Sequence, residues 1–152
     1  MKVLEARLAV IPFLGRLLIA YIYLTSGLAK VFDWTGNVEY MQRHHLPFVP
    51  LLLAVALVIE LAGSASLVTG YQARVAAFVL FLYTIVLTVL LHNYWAASGM
   101  SAAMQETEFR KNLAIAGGLL VLAYAGPGAW ALRSKAARAS DAVKPATDAG
   151  LQ

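Results

Sequence analysis

The chain has 152 residues, of which 61% are hydrophobic and only 13% are charged, and it contains no cysteine. Soluble domains usually carry about 25% charged residues, so the composition excludes an ordinary soluble domain and indicates an integral membrane protein of one domain. The absence of cysteine excludes disulfides, thiolate metal sites and thiol–disulfide catalysis. The net charge of +4 comes from basic residues in tails and short loops, which favours a role in membrane orientation over nucleic-acid binding.

The first two apolar stretches each predict a membrane-spanning helix with one charge at depth. The first covers residues 8–32, contains Arg16, and is too long for the core of a signal peptide. The second covers residues 48–70 and has one carboxylate near its middle, Glu60. Stretches of about 20 apolar residues can span a bilayer core. A charge at such depth costs about 2.5–3.5 kcal/mol on insertion scales, so both charged side chains need partners.

Two further helices are predicted at residues 73–94 and 109–126. The third helix follows a tight connection and ends with His92, whereas the fourth contains Asn112 in its first turns. The fourth helix has the shortest apolar core of the four. Together the segments predict an all-α integral membrane protein built as a four-transmembrane-helix bundle.

Lysine and arginine near the helix ends predict the orientation of the bundle. The side with both termini carries more of them than the side with the two longer loops, residues 33–46 and 95–107. We therefore expect both termini in the cytoplasm. Residues 1–132 would then form one transmembrane domain, and residues 133–152, which are polar and rich in alanine, would form a disordered cytoplasmic tail.

The depth of the two buried charges predicts that they pair with each other. An α-helix rises about 1.5 Å per residue. With the first helix centred near Ala20 and the second near Ile59, Arg16 lies roughly 6 Å and Glu60 roughly 2–3 Å from the bilayer centre, on the same side. An intramembrane Arg16–Glu60 ion pair follows, because the arginine fork matches a carboxylate. Whether the pair only fixes helix register or also serves a function stays open.

A second group of polar side chains lies near the predicted outer ends of the helices. Lys30 and His92 are roughly 12–15 Å from the centre by the same rise per residue, and they predict an outward-facing polar pocket. The simpler interpretation is that these side chains reach up to water. The candidate ligand-binding residues are Lys30, His92, Asn112, Tyr23 and Ser26. Tyr83, like Tyr21 and Tyr23, is expected to be a core or lipid-facing residue.

The two predicted outer loops also carry side chains that copper would select. Met41, His44 and His45 lie in the first loop, and Met100 and Met104 lie in the second. Thioether and imidazole groups are suitable copper ligands. Their spacing is loose, so ordinary loop residues remain the competing interpretation.

Four segments carry a resemblance to a known family. They are Leu14-Gly-Arg-Leu-Leu with Ser26-Gly-Leu-Ala-Lys30, Ile59-Glu-Leu-Ala-Gly-Ser with Gly70 and Arg74, the end of the third helix at His92, and Lys111-Asn112 leading to Gly126-Pro-Gly128. Over residues 10–132 the chain resembles the DoxX family of small four-helix bacterial membrane proteins. The resemblance implies a bundle in the bacterial inner membrane. It also implies links to membrane redox complexes, because the family takes its name from a subunit of thiosulfate:quinone oxidoreductase. The bundle is also similar to that of vitamin K epoxide reductase-like proteins, whose cysteine pair this chain lacks.

These observations favour a subunit or anchor of a membrane redox system, with a pocket for a quinone or a lipid. The alternatives are a non-catalytic membrane assembly module, a periplasm-facing copper-handling protein and, more remotely, a transporter. Any enzymatic role would be that of an accessory subunit of a quinone-linked oxidoreductase. The sequence contains no haem or nucleotide motif. The expected partners are the lipid bilayer and another membrane-complex protein, with no nucleic acid and with the oligomeric state open.

Overall fold

The computed structural model describes residues 10–128 and 130–132, so the predicted tail at 133–152 lies outside the described residues. All regular secondary structure within this part of the chain is helical. Its elements are α1 (Val10–Phe32), α2 (Trp34–Arg43), α3 (Val49–Thr69), α4 (Ala73–Leu91), a short 3-10 helix (Tyr94–Ala96) and α5 (Gly99–Ala125). Three segments are long and apolar enough to cross a membrane, namely α1, α3, and α4 extended to Ala96. The described chain is thus an all-α membrane protein.

Two segments that the sequence predicts as loops are partly helical. The first contains α2, whose N-terminus is capped by Asp33, which accepts a hydrogen bond from the backbone N–H of Gly36 at 3.1 Å. Helix α2 is amphipathic, and it buries Met41 against Val49 and Leu53 of α3. Tertiary burial of one face therefore makes a helix of a segment whose overall composition is polar.

The last helix begins at Gly99, ten residues before the predicted start at residue 109. Its first turns are polar and were assigned to a loop for that reason. They are stabilised by two ion pairs along one helix, Glu106 with Arg110 and Glu108 with Lys111. Such pairs, three or four residues apart, support helix formation in water-exposed segments.

Helices α1 and α3 form one closely packed antiparallel pair, and α4 and α5 form another. Glycines allow the close approach. A Cβ added at Gly27 of α1 would lie 2.7 Å from Leu61 Cδ2 within the first pair, and one added at Gly63 of α3 would lie 2.8 Å from Leu80 Cδ2 of α4, where the two pairs meet. The shared core lies where the pairs meet, around Ala20, Leu67, Ala77, Leu80, Leu119 and Leu122.

Candidate ligand-binding site

Glu60, which is only 2% exposed, is the centre of a hydrogen-bonded cluster in the middle of the bundle. Lys30 Nζ donates to both carboxylate oxygens, at 2.9 and 2.8 Å, and also to Ser26 Oγ at 2.8 Å. Oε1 of Glu60 accepts two more hydrogen bonds, from the Tyr83 hydroxyl at 2.6 Å and from Ser26 Oγ at 3.1 Å. Side chains from α1 and α4 therefore neutralise and solvate a carboxylate that α3 carries into the apolar interior.

The predicted Arg16–Glu60 ion pair is wrong, because Glu60 pairs with Lys30. The physical reason is the stagger of α1 against α3. Gly27 lies against Glu60, with a constructed Cβ 3.5 Å from Glu60 Cβ, and Arg16 is eleven residues earlier on α1. That separation is roughly 16 Å along the helix axis, whereas the prediction had placed the two helix midpoints at the same depth.

Arg16 is 1% exposed, and its guanidinium is bound by backbone carbonyl groups. Nη1 donates to the carbonyl oxygen of Leu67 at 3.0 Å, and Nη2 donates to that of Trp130. The guanidinium also lies 5.4 Å from the centroid of the Phe13 ring. The last four carbonyls of a helix have no partner within it, and they carry partial negative charge. The partial negative charge at the C-terminal end of α3 thus takes the place of a carboxylate partner for Arg16.

A cavity of about 320 Å³ adjoins the Glu60 cluster. It reaches from Glu60 toward the end of the bundle that carries His92, which we call the His92 end. All five candidate ligand-binding residues line it: Tyr23, Ser26, Lys30, His92 and Asn112. The structure therefore brings these side chains around one space, and their binding of a ligand stays a prediction.

Polar and aromatic side chains of α2 and α5 cover the cavity at the His92 end. His92 Nδ1 lies 2.8 Å from Gln105 Oε1 of α5, and the rings of Tyr40 and His44 pack with their centroids 5.0 Å apart. Burial, followed by the positive charges of His92 and His45, lowers the pKa of His44 from its ordinary value of 6.5. The imidazoles of His92 and His45 are thus close enough to His44 to influence its protonation.

The sequence analysis missed Tyr83 and Gln105 as site residues. Tyr83 was expected in the core or facing lipid, but its hydroxyl binds Glu60. A usable signal exists, because Tyr83 precedes Thr84 on the face of α4 that also buries Leu80 and Thr88, and a buried phenol hydroxyl usually needs a polar partner. Gln105 lay in the predicted loop, where no helical face could be assigned.

The candidate copper ligands occupy different environments. Met41 is 6% exposed in the contact between α2 and α3, whereas Met100 and Met104 are 82% and 65% exposed on α5. His44 packs on Tyr40, and His45 is exposed. Within the described residues, no three His, Asp or Glu side chains are grouped so that they could hold a metal ion. Copper binding by the five named residues stays a prediction.

Comparison with known proteins places this bundle in a family. The DoxX family model matches residues 11–93, which include Arg16, Lys30, Glu60 and His92. The inner membrane protein YphA of Escherichia coli is 32% identical over 123 residues, covering 81% of this chain and 88% of YphA. The inner membrane protein YqjF of the same organism is 30% identical over 118 residues, covering 78% and 85%. No solved structure gives a significant match. The chain is a multi-pass inner-membrane protein and belongs to the DoxX family.

Proposed function

We propose that the chain is a subunit or anchor of a membrane redox system and that its cavity binds the ring of a quinone. The observation that carries the proposal is a largely apolar cavity whose acidic lining residues are each paired with a lysine of the lining. Glu60 is paired with Lys30, and Glu108 is paired with Lys111. Such a lining offers hydrogen bonds to a neutral ligand without requiring it to carry a compensating charge.

The size and the donors of the cavity suit a substituted benzoquinone ring. Its volume of about 320 Å³ lies near the lower end of the range of about 300–1,000 Å³ typical of small-molecule pockets. The Asn112 amide lines the cavity and can donate to a quinone carbonyl oxygen, whereas the three N–H groups of Lys30 are directed at Glu60 and Ser26. The imidazole of His92, which also lines the cavity, offers a further hydrogen-bonding group.

The proposal includes a fourth span over residues 109–126, which contains the apolar part of α5. Its support is that Leu119 and Leu122 of α5 join the same core as Ala77 and Leu80 of α4. With four spans, residues 1–132 form one transmembrane domain and both termini lie on the same side of the membrane. The lysine and arginine distribution then favours the cytoplasm for both termini, which leaves the His92 end facing outward.

The test is binding of 2,3-dimethoxy-5-methyl-1,4-benzoquinone to the purified protein in lipid nanodiscs, with and without its partner complex. We expect saturable binding to the wild type and at least tenfold weaker binding to Asn112→Leu, a loss of about 1.4 kcal/mol. Thr107→Val, on the exposed face of the same helix, is the matched control and should bind like the wild type. Absence of saturable binding to the wild type under both conditions would refute the proposal.

A second candidate is a non-catalytic assembly module, favoured by the completeness of the Glu60 cluster. Lys30, Ser26 and Tyr83 already satisfy this carboxylate from within the chain, as a purely structural ion pair would. Buried ion pairs can often be replaced by apolar residues without loss of stability. If the double variant Lys30→Met/Glu60→Leu folds and retains the function of the complex, the module is favoured over quinone binding at this cluster.

A further inference from the structure

All five α-helices contribute to the lining of the cavity, and two of them, α1 and α5, face each other across it in antiparallel register. The cavity-lining residues Ile22 and Lys30 of α1 are two turns apart, and so are Glu108 and Ile115 of α5. The polar members of the two rows are therefore at the His92 end. The apolar members, Ile22 and Ile115, lie deepest in the bundle.

Below these two isoleucines the helices close against each other. A Cβ added at Gly118 of α5 would lie 3.5 Å from Ile19 Cδ1 of α1, which is ordinary van der Waals contact. Above that contact the cavity separates the two helices. Ile22 lines the cavity, is 40% exposed, and lies one helical turn after Leu18, which is 72% exposed. One side chain thus faces both the cavity and the surroundings of the helix, which marks an opening at that level.

The opening lies at the depth of the hydrocarbon core. Ile22 is close to the middle of α1, which runs from Val10 to Phe32, and it is roughly 12 Å along the helix axis from Lys30. The residues that bound the opening are apolar. Ile22 and Ile115 lie on its two sides, and the Ile19–Gly118 contact closes its deeper end. An opening of this kind admits hydrocarbon in preference to a polar solute.

From this geometry we infer that the cavity opens sideways into the bilayer through a window between Ile22 and Ile115, and that its ligand is an amphiphile. The inference rests on the proposed function, in which the cavity binds the polar ring of the ligand. It adds that the ligand carries a single apolar chain, which leaves the cavity through the window along α1 and α5. The polar ring contacts the Glu60 cluster, Asn112 and His92, while the chain stays in the hydrocarbon. An isoprenoid chain and a lipid acyl chain share this chemistry, and the test separates them.

The test compares the benzoquinone ring with the same ring carrying a decyl chain, using the protein in nanodiscs. Ile22→Trp fills the window, and Leu24→Trp is the matched control, because Leu24 has the same 40% exposure and does not line the cavity. The decyl form also partitions into the lipid, but this raises its local concentration equally for every variant in identical nanodiscs, so the ratio of two affinities is unaffected. We expect Ile22→Trp to lose at least tenfold in affinity for the decyl form, because the indole closes the path by which the chain leaves the cavity. Its affinity for the bare ring should stay within about twofold of the wild type, a difference of less than 0.5 kcal/mol.

The outcomes separate the window from the proposed function. If the ring binds the wild type and Ile22→Trp binds the decyl form as well as Leu24→Trp does, the window is refuted and quinone binding stands. If a phospholipid competes with the decyl form in the wild type but not in Ile22→Trp, the acyl chain of a lipid is the occupant of the window. If no ring form binds, the proposal of quinone binding fails. The window is then tested with a nitroxide spin label attached to Ile22→Cys, because the chain has no other cysteine. Collisions with dissolved oxygen, comparable to those at Leu24→Cys, are expected, and shielding from oxygen would refute the window.

Discussion

The bundle buries two opposite charges, Glu60 and Arg16, and it satisfies them in different ways. Glu60 lies in the middle of α3, where every backbone N–H is already used by the helix, so its partners are the side chains of Lys30, Ser26 and Tyr83. Arg16 lies beside the end of α3, where carbonyl groups have no helical partner, and it binds the backbone oxygens of Leu67 and Trp130.

The two sites also differ in their surroundings, because the Glu60 cluster adjoins a cavity of about 320 Å³. At a helix C-terminus, backbone carbonyl groups can accept from both terminal nitrogens of an arginine, as those of Leu67 and Trp130 do, although the buried Nε of Arg16 has no partner among the described residues. A carboxylate in mid-helix needs long polar side chains to reach it from neighbouring helices. Those side chains take up space unevenly and bring hydroxyl and ammonium groups into an apolar bundle. The cavity beside the Glu60 cluster is where we propose that a ligand binds, whereas Arg16 binds the backbone carbonyl groups of Leu67 and Trp130.

The sharpest way to break this comparison is to remove the cation from the Glu60 cluster. Lys30→Met should destabilise the protein by about 3–5 kcal/mol, because it leaves a buried carboxylate without its cation. Lys30→Met/Glu60→Leu should recover most of that loss. Unfolding of the purified proteins in detergent, followed by circular dichroism, gives the free energies. Equal destabilisation by the single and the double variant would show that the ion pair is not the stabilising feature.

A double-mutant cycle tests whether the two buried charges are independent. We expect Arg16→Lys to cost about 1.5–3 kcal/mol, since one ammonium cannot replace a fork that binds two separate carbonyl groups. Combined with Glu60→Gln, the effects should add within about 0.5 kcal/mol, as is usual for distant sites. Hydrogen exchange provides a local measurement, because the Leu132 amide, which donates to the Thr69 carbonyl at 2.9 Å, should exchange faster in Arg16→Lys. A coupling energy well above 1 kcal/mol would contradict this independence and indicate a direct interaction between Arg16 and Glu60.

The turn after α3 allows a smaller test of the Arg16 site. Gly70 has a φ of +77°, and a Cβ there would collide with Ala131 and with the Arg16 guanidinium. Gly70→Ala should therefore cost about 1–2 kcal/mol from backbone conformation alone, with a further loss from displacing Arg16. Gly117→Ala is the control, because a Cβ there has no neighbour within 4 Å. Thermal unfolding of both variants measures the difference, and equal stability would mean that the turn tolerates a side chain.

The smallest expected effect is a pH dependence at the His92 end. The pKa of His44 is lowered in the folded protein, so the unfolded chain binds more protons in the window between the lowered pKa and 6.5. Stability is therefore complete above pH 6.5 and declines as the pH falls through that window. His44→Gln should flatten this part of the pH profile, and His45→Gln, which removes the last of the three causes that lower the pKa of His44, should flatten it only in part. The midpoint of thermal unfolding, recorded from pH 7.5 to pH 5, checks both variants, and an unchanged slope in His44→Gln would contradict the assignment.

The sequence alone predicts a large part of the fold, because the length and apolarity of α1, α3 and α4 leave few alternatives to membrane spans. It also predicts that Lys30, Ser26, Tyr23, His92 and Asn112 occupy a common region, since their positions near the same ends of their helices follow from chain order. The polar helices were harder to predict. Helix α2 and the first turns of α5 depend on a buried face and on ion pairs that composition does not reveal.

Pairing of the buried charges required the tertiary structure. Sequence determined that Arg16 and Glu60 each need a partner, because an uncompensated charge in hydrocarbon is costly whatever the packing. It could not determine which partner, because the stagger of α1 against α3 is set by where Gly27 allows the backbones to approach. Apolar helix surfaces slide past one another with little change in hydrophobic burial, so hydropathy leaves that stagger undefined. Close packing at a few small residues fixes it, and with it the partner of each charge and the position of the cavity.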